Sequence, residues 1–240
     1  MSYDIWIYQY NLAKAAQPFR RHGYVFTQMQ GAHAFLPNFL INFHRVDNID
    51  DMNAYIARLG GVSRALGQLL ARAQLAAEEG IRPPRFAYEG VIDQAKKLLT
   101  GAPFSASESD APLWSDAKGK IDALVQKGDI TTEQAGELQS AAEKALLEQF
   151  QPAYNNLIAW MEADLPNTDA DARGASALPN GEAFYNYQLR DNTTLSLTAD
   201  EIHNIGLADQ EWLDPADTGR YAGMAALLAE LFTKLLFFLN

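Results

Sequence analysis

Apolar residues recur at helical spacing through most of this chain, and alternating strand-like patterns are scarce. Ile5, Tyr8, Leu12 and Ala15 predict a helix over residues 3–16 with one apolar face, ending before Pro18. Glycines punctuate 20–31, where Tyr24 to Thr27 reads as a short strand or extended chain. Phe35 to Phe43 is an apolar run interrupted by Pro37 and Asn38, and burial is expected for it. Asp47 to Asp51 supplies capping and first-turn acids for a pattern that starts at Met52, Tyr55, Ile56 and Leu59. Gly60 and Gly61 should loosen that pattern before it resumes from Val62 to Ala77, with Gly80 as its C-terminal cap ahead of Pro83.

Val91, Ile92, Ala95, Leu98 and Leu99 predict a further helix over 86–99, and Ser105 to Pro112 a polar loop. Helical periods return over 114–125 and 131–162, the second opened by a Thr131/Gln134 capping box and kinked or divided by Pro152. Leu178 to Glu182 is a turn that opens a helix, with Gly181 free to take positive φ, and Thr198/Glu201 is another capping box. The sum is an all-α or predominantly α fold, an irregular multi-helix bundle. The acidic, small-residue stretch 166–174 marks the best internal boundary, giving a helical body (1–165), a closing helical block (166–207) and an apolar C-terminal helix (208–240).

Hydrophobic residues make up 48% of 240, enough for a packed core. The net charge of −11 argues against nucleic acid or an anionic membrane as partner, and a peptide or small-molecule substrate is easier to accommodate if it is neutral or cationic. With no Cys, disulfides, thiolate nucleophiles and Cys-type zinc sites are excluded. The segment 221–239 is nearly long enough to span a bilayer, yet its central Glu230 and Lys234 favour a buried or self-associating helix. Homo-oligomers through exposed apolar faces are therefore expected.

Candidate chemistry is sparse. His22, His33, His44 and His203 are too far apart in sequence for any two to sit one helical turn apart, and each has a plain reading as a hydrogen-bonding group near a helix end. Glu133 and Glu137 have acid/base spacing but polar surroundings that mark a solvated face. Glu182 and Tyr185 share a helical face, although Glu182 and Arg190 also suit the two ends of a helix dipole.

Several blocks together carry a resemblance: Tyr3 to Gln17, Gln28 to Gly31, Leu36 to His44, Tyr55 to Leu59, Gly80 to Pro84, Pro152 to Tyr154 and Leu178 to Leu207. In these the chain resembles the bacterial domain-of-unknown-function family 885, whose members look like zinc metallopeptidases related to carboxypeptidases. The resemblance implies that Glu182, Tyr185, Arg190, His203 and His44 are candidate substrate-binding residues, Arg190 holding a carboxylate and Tyr185 donating to a developing oxyanion. It also implies zinc in full-length relatives, on a His-Glu-x-x-Pro-Gly-His-His helix.

This sequence has no HExxH, so no zinc ligand is assigned and no cofactor is expected in this chain. Relatives are more than twice as long, and the likeness stops at Leu207, which points to an internal fragment with a foreign C-terminus. Without a visible signal peptide such a piece is expected in the cytoplasm, while relatives are exported or periplasmic. Three readings follow: a helical part of a metallopeptidase-like hydrolase, a stand-alone hydrolase with a site gathered from His33, His44, His203 and acidic residues, and a non-enzymatic self-association module.

Overall fold

The computed structural model describes residues 2–29 and 31–211, with side chains to 208. The expected helix at 221–239, with Glu230 and Lys234, lies outside these residues. The described residues are helical in all their main elements and form no strand, only an isolated bridge between Ala102 and Asp110. In chain order the helices are α1 Tyr3–Ala16, α2 Ala32–Phe43, α3 Ile49–Glu78, α4 Arg85–Leu98, α5 Pro112–Lys127, α6 Thr132–Ala145, α7 Gln151–Asp164, α8 Gly181–Thr193 and α9 Ala199–Glu211.

The chain divides into two compact units. One comprises Met1–Gly23, Glu79–Ile81 and Ala172–Asn240; the other comprises Tyr24–Glu78 and Arg82–Asp171.

The second unit holds the main core. Met52, Tyr55, Leu59 and Leu66 of α3 are fully buried with Val91 and Ala95 of α4, Ile121 and Leu124 of α5, and Leu157 of α7. Truncating one such leucine to alanine costs about 2–5 kcal/mol, because the lost transfer energy is joined by a cavity. Asn48 opens α3, its Oδ1 accepting from the Asp51 amide at 3.0 Å. The helix then runs unbroken through Gly60 and Gly61, contrary to the loosening expected. The side-chain amide of the exposed Gln149 lies over Gly60, in the space a Cβ would enter.

Two prolines show how tertiary contacts decide what happens to a helix. Pro37 does not interrupt α2. It has no N–H to give the His33 carbonyl one turn earlier, and the Tyr154 hydroxyl supplies the missing donor at 2.5 Å. Around Pro152 the backbone instead widens into a π turn, Leu146–Phe150, which separates α6 from α7. The Gln151 amide reaches back to the Leu146 carbonyl there. The Thr131/Gln134 capping box forms with both of its hydrogen bonds.

The apolar run of α2 is not buried as a whole. His33, Pro37 and Leu40 face inward, while Phe35, Phe39 and Phe43 are exposed. In the first unit, α1 forms over the expected range but buries none of its residues, and Tyr3, Ile5, Trp6 and Tyr10 are exposed.

Candidate functional site

The turn before α8 is built by backbone crowding. Asn180, not Gly181, takes the left-handed conformation, with φ 54°. Gly181 is required because a Cβ would lie 2.1 Å from the Ala175 carbonyl oxygen. His22 fastens the turn: its Nε2–H donates to the Pro179 carbonyl at 2.7 Å, since that oxygen can only accept. The ring packs against Phe184, with centroids 4.7 Å apart, and edge-on to Phe19, which stacks on Tyr187.

Helix α8 thus buries Phe184 and Leu189 and turns its polar residues outward. Glu182 in the first turn and Arg190 in the last are exposed, and Tyr185 is half-buried. No hydrogen bond or ion pair joins these three among the described residues, leaving their donors and acceptors open to solvent. His203 is exposed on α9, which the Thr198/Glu201 box caps. The amide and hydroxyl of Thr198 hold the Glu201 carboxyl below its ordinary range. His44, the remaining candidate, belongs to the other unit.

His33 and His44 lie three turns apart along the inner side of α2 and its C-terminal flank, and both are buried. Gln94 fixes the His33 tautomer. Its amide nitrogen donates to the Gln28 carbonyl at 2.8 Å, so its oxygen must accept from Nε2–H of His33, also at 2.8 Å. Nδ1 of His33 is buried without a hydrogen-bond partner among the described residues. The ring lies over Gly31, where a Cβ would come within 2.2 Å of Nδ1. Burial lowers the His33 pKa, against the opposing pull of Gln94.

His44 is committed on both sides. Nδ1 accepts from Arg58, which has only donors, and Nε2 reaches the Asp51 carbonyl at 3.2 Å. Its pKa is lowered by burial and by the charges of Arg58 and Lys120, despite the Asp51 carbonyl and carboxylate. The ring meets Tyr55 edge-on, and the Tyr55 hydroxyl donates to Asp116 at 2.8 Å. Lys120 bridges Asp116, at 2.6 Å from Oδ2, to the Ile41 carbonyl, at 3.2 Å. A cation thus sits on the C-terminal turn of α2, where the helix dipole favours it. Burial first, then Asp116, drives the Tyr55 hydroxyl far above its ordinary pKa.

A third polar cluster ties the start of α4 to the end of α7. Arg82 grips Asp164 with two parallel bonds, Nε to Oδ2 at 2.8 Å and Nη2 to Oδ1 at 3.0 Å. Tyr88 donates to Oδ2 at 2.8 Å and Asn167 to Oδ1 at 2.9 Å, so each carboxylate oxygen accepts twice. Burial alone would raise the Asp164 pKa, but Arg82, Asn167 and Tyr88 together bring it below the ordinary value. A carboxylate so occupied has little left to offer a substrate.

The family whose sequence pattern matches residues 1–216 is described as bacterial protein of unknown function, DUF885. The chain belongs to this family. The match continues past Leu207, where the likeness was expected to stop. No curated protein matches the sequence. A solved structure described as "the putative lipoprotein from Colwellia psychrerythraea" shares the fold, with a TM-score of 0.65 and 22% identity over 77% of this chain. The matched part is 30% of that protein, so this DUF885 chain spans under a third of its structural neighbour.

The resemblance attaches zinc to longer DUF885 relatives. Among the described residues no group of three or more His, Cys, Asp or Glu side chains is arranged to hold a metal ion. His44 has spent both nitrogens, and His33 and His22 have each spent Nε2. Nδ1 of His33 and of His22 is buried without a hydrogen-bond partner among the described residues. No described helix is long and apolar enough to cross a membrane.

The clusters around Asp116 and Asp164 were not singled out from sequence. Asp116 and Lys120 carried a weak signal as an i, i+4 pair, whereas Asp164 lies 82 residues from Arg82 and carried none.

Proposed function

We propose that this chain is the helical framework of a metallopeptidase-like hydrolase, lacking the zinc-bearing part and presenting substrate contacts from α8. The observation that carries the reading is a family match over residues 1–216 in a sequence without HExxH. The 30% coverage of the solved neighbour supports a fold whose remaining parts lie elsewhere. In this reading zinc belongs to the longer relatives, and this chain by itself does not turn over peptides. The description of the neighbour as a lipoprotein supports export among relatives.

The positive part of the reading concerns α8. Arg190 presents a planar fork suited to a carboxylate, Tyr185 a hydroxyl and Glu182 an acceptor, all with open hydrogen-bonding capacity. His203, exposed on α9, is the secondary contact, whereas His44 is buried with both ring nitrogens engaged and takes no part. The test is titration of isotope-labelled protein with short peptides having a free C-terminal carboxylate, followed by NMR. Shifts centred on Tyr185 and Arg190, with affinity reduced about tenfold by Arg190→Gln, are expected. Shifts confined to other helices, or binding indifferent to both side chains, would remove α8 from the reading.

A further inference from the structure

Helix α2 has two unlike sides. Inward it presents His33, Pro37 and Leu40; outward it presents Phe35, Phe39 and Phe43, which are 61%, 44% and 70% exposed. The outer rings form one row, with successive centroids 6.2 and 5.7 Å apart. Beside them Asn38 and Asn42 are exposed, the Asn42 amide bonded to the Asn38 carbonyl. None of the twelve residues of α2 is Asp, Glu, Lys or Arg, although charged residues make up 20% of the chain.

We propose that the outer face of α2 is the contact surface of a symmetric dimer, occupied by α2 of a second copy. Charge selects that occupant. A two-fold interface sets a patch against itself, so in a protein of net charge −11 most patches would pair carboxylates with carboxylates. The face of α2 escapes this, being aromatic and uncharged, as the centres of protein interfaces are. The other exposed aromatic row, Tyr3, Trp6 and Tyr10, shares its helix with Asp4 and Lys14.

Area sets the strength. Taking about 200 Å² per phenylalanine, the exposed parts of the three rings offer roughly 350 Å² per copy, against about 800 Å² per partner in a standard interface. The dimer is accordingly weak and transient, and its dissociation is sought between about 1 μM and 1 mM. Because the contact is apolar and the long-range force repulsive, added salt strengthens it. This inference stands apart from the hydrolase reading.

The experiment is sedimentation velocity on the full chain across that concentration range at low and high salt. A shift from the 26.5 kDa monomer towards twice that mass is expected, increasing with salt and weakened at least tenfold in Phe35→Glu/Phe43→Glu. Trp6→Glu, on the other aromatic row, should leave it unchanged. Since the chain has no cysteine, Asn42→Cys gives a second readout that does not depend on the charged variant folding. Mild oxidation should link Asn42→Cys dimers, while Glu137→Cys on the exposed side of α6 stays monomeric. A monomer at every concentration, association that falls with salt, or a dimer untouched by the Phe35/Phe43 change and unlinked through Asn42→Cys overturns the proposal.

Discussion

The polar side chains of the two units lead different lives. In the unit built on α2 to α7, Tyr55, Tyr88 and Tyr154 are essentially inaccessible to solvent, and each hydroxyl has a named acceptor. In the other, Glu182, Arg190 and His203 point into solvent. Buried polar groups that are fully satisfied hold a framework in register, while exposed unpaired ones are available to a ligand. By that contrast the clusters around Asp116 and Asp164 are structural, and the exposed polar residues of α8 are the ones the proposed function assigns to binding.

The sharpest way to break the contrast is to remove Asp164. Asp164→Ala leaves the Arg82 guanidinium and Tyr88 hydroxyl without their acceptor, and a loss of about 3 kcal/mol in urea unfolding is expected. A loss below about 0.5 kcal/mol would show that the cluster is not holding α4 to α7.

Next comes the proline in α2. Tyr154→Phe removes the donor to the His33 carbonyl and should cost about 1–2 kcal/mol. Pro37→Ala restores a backbone N–H to that carbonyl, so the double variant should recover part of the loss. Additive losses in the double-mutant cycle would contradict this account of why the helix survives Pro37.

Acid should act on the framework in two stages. His33 and His44 have depressed pKa values in the folded state, so the unfolded chain takes up protons first as pH falls below about 6.5. Their contribution is present above that value and declines below it. The Asp164 carboxyl is also depressed, and its contribution is lost only below about 4, as pH falls through its folded value. Urea midpoints between pH 8 and 5 should fall in the wild type and flatten in His44→Gln; a rise on acidification would contradict the neutral histidines.

The smallest effect is expected on α8. Glu182→Gln and Arg190→Gln should each change stability by under about 0.5 kcal/mol, as exposed sites do. A larger loss in thermal melts would make these residues structural and blur the contrast between the units.

What the sequence revealed followed its local signals. The helical periods, the Thr131/Gln134 and Thr198/Glu201 boxes and the Gly80 stop are encoded within a few residues, and they appear where expected. The helix that runs through Pro37 was not predicted, because it depends on Tyr154, 117 residues onward. Phe35 to Phe43 was read as buried because hydrophobicity does not tell which side of a helix the core takes. For the candidate site, Glu182 and Tyr185 were legible as a helix face and Arg190 as a cation near the helix end, but the family resemblance rather than local physics gave them a role. The Asp116 and Asp164 clusters join residues 61 to 82 positions apart and could not be read locally.

The central claim is that this chain contributes framework and contacts without its own zinc chemistry. It is tested most directly by measuring bound metal in the purified protein together with hydrolysis of ester, phosphoester and peptide substrates, before and after chelation and zinc return. The account predicts substoichiometric zinc and no turnover that chelation removes and zinc restores. Stoichiometric zinc with restorable turnover, abolished by substituting His33, His44 or His203, would contradict it.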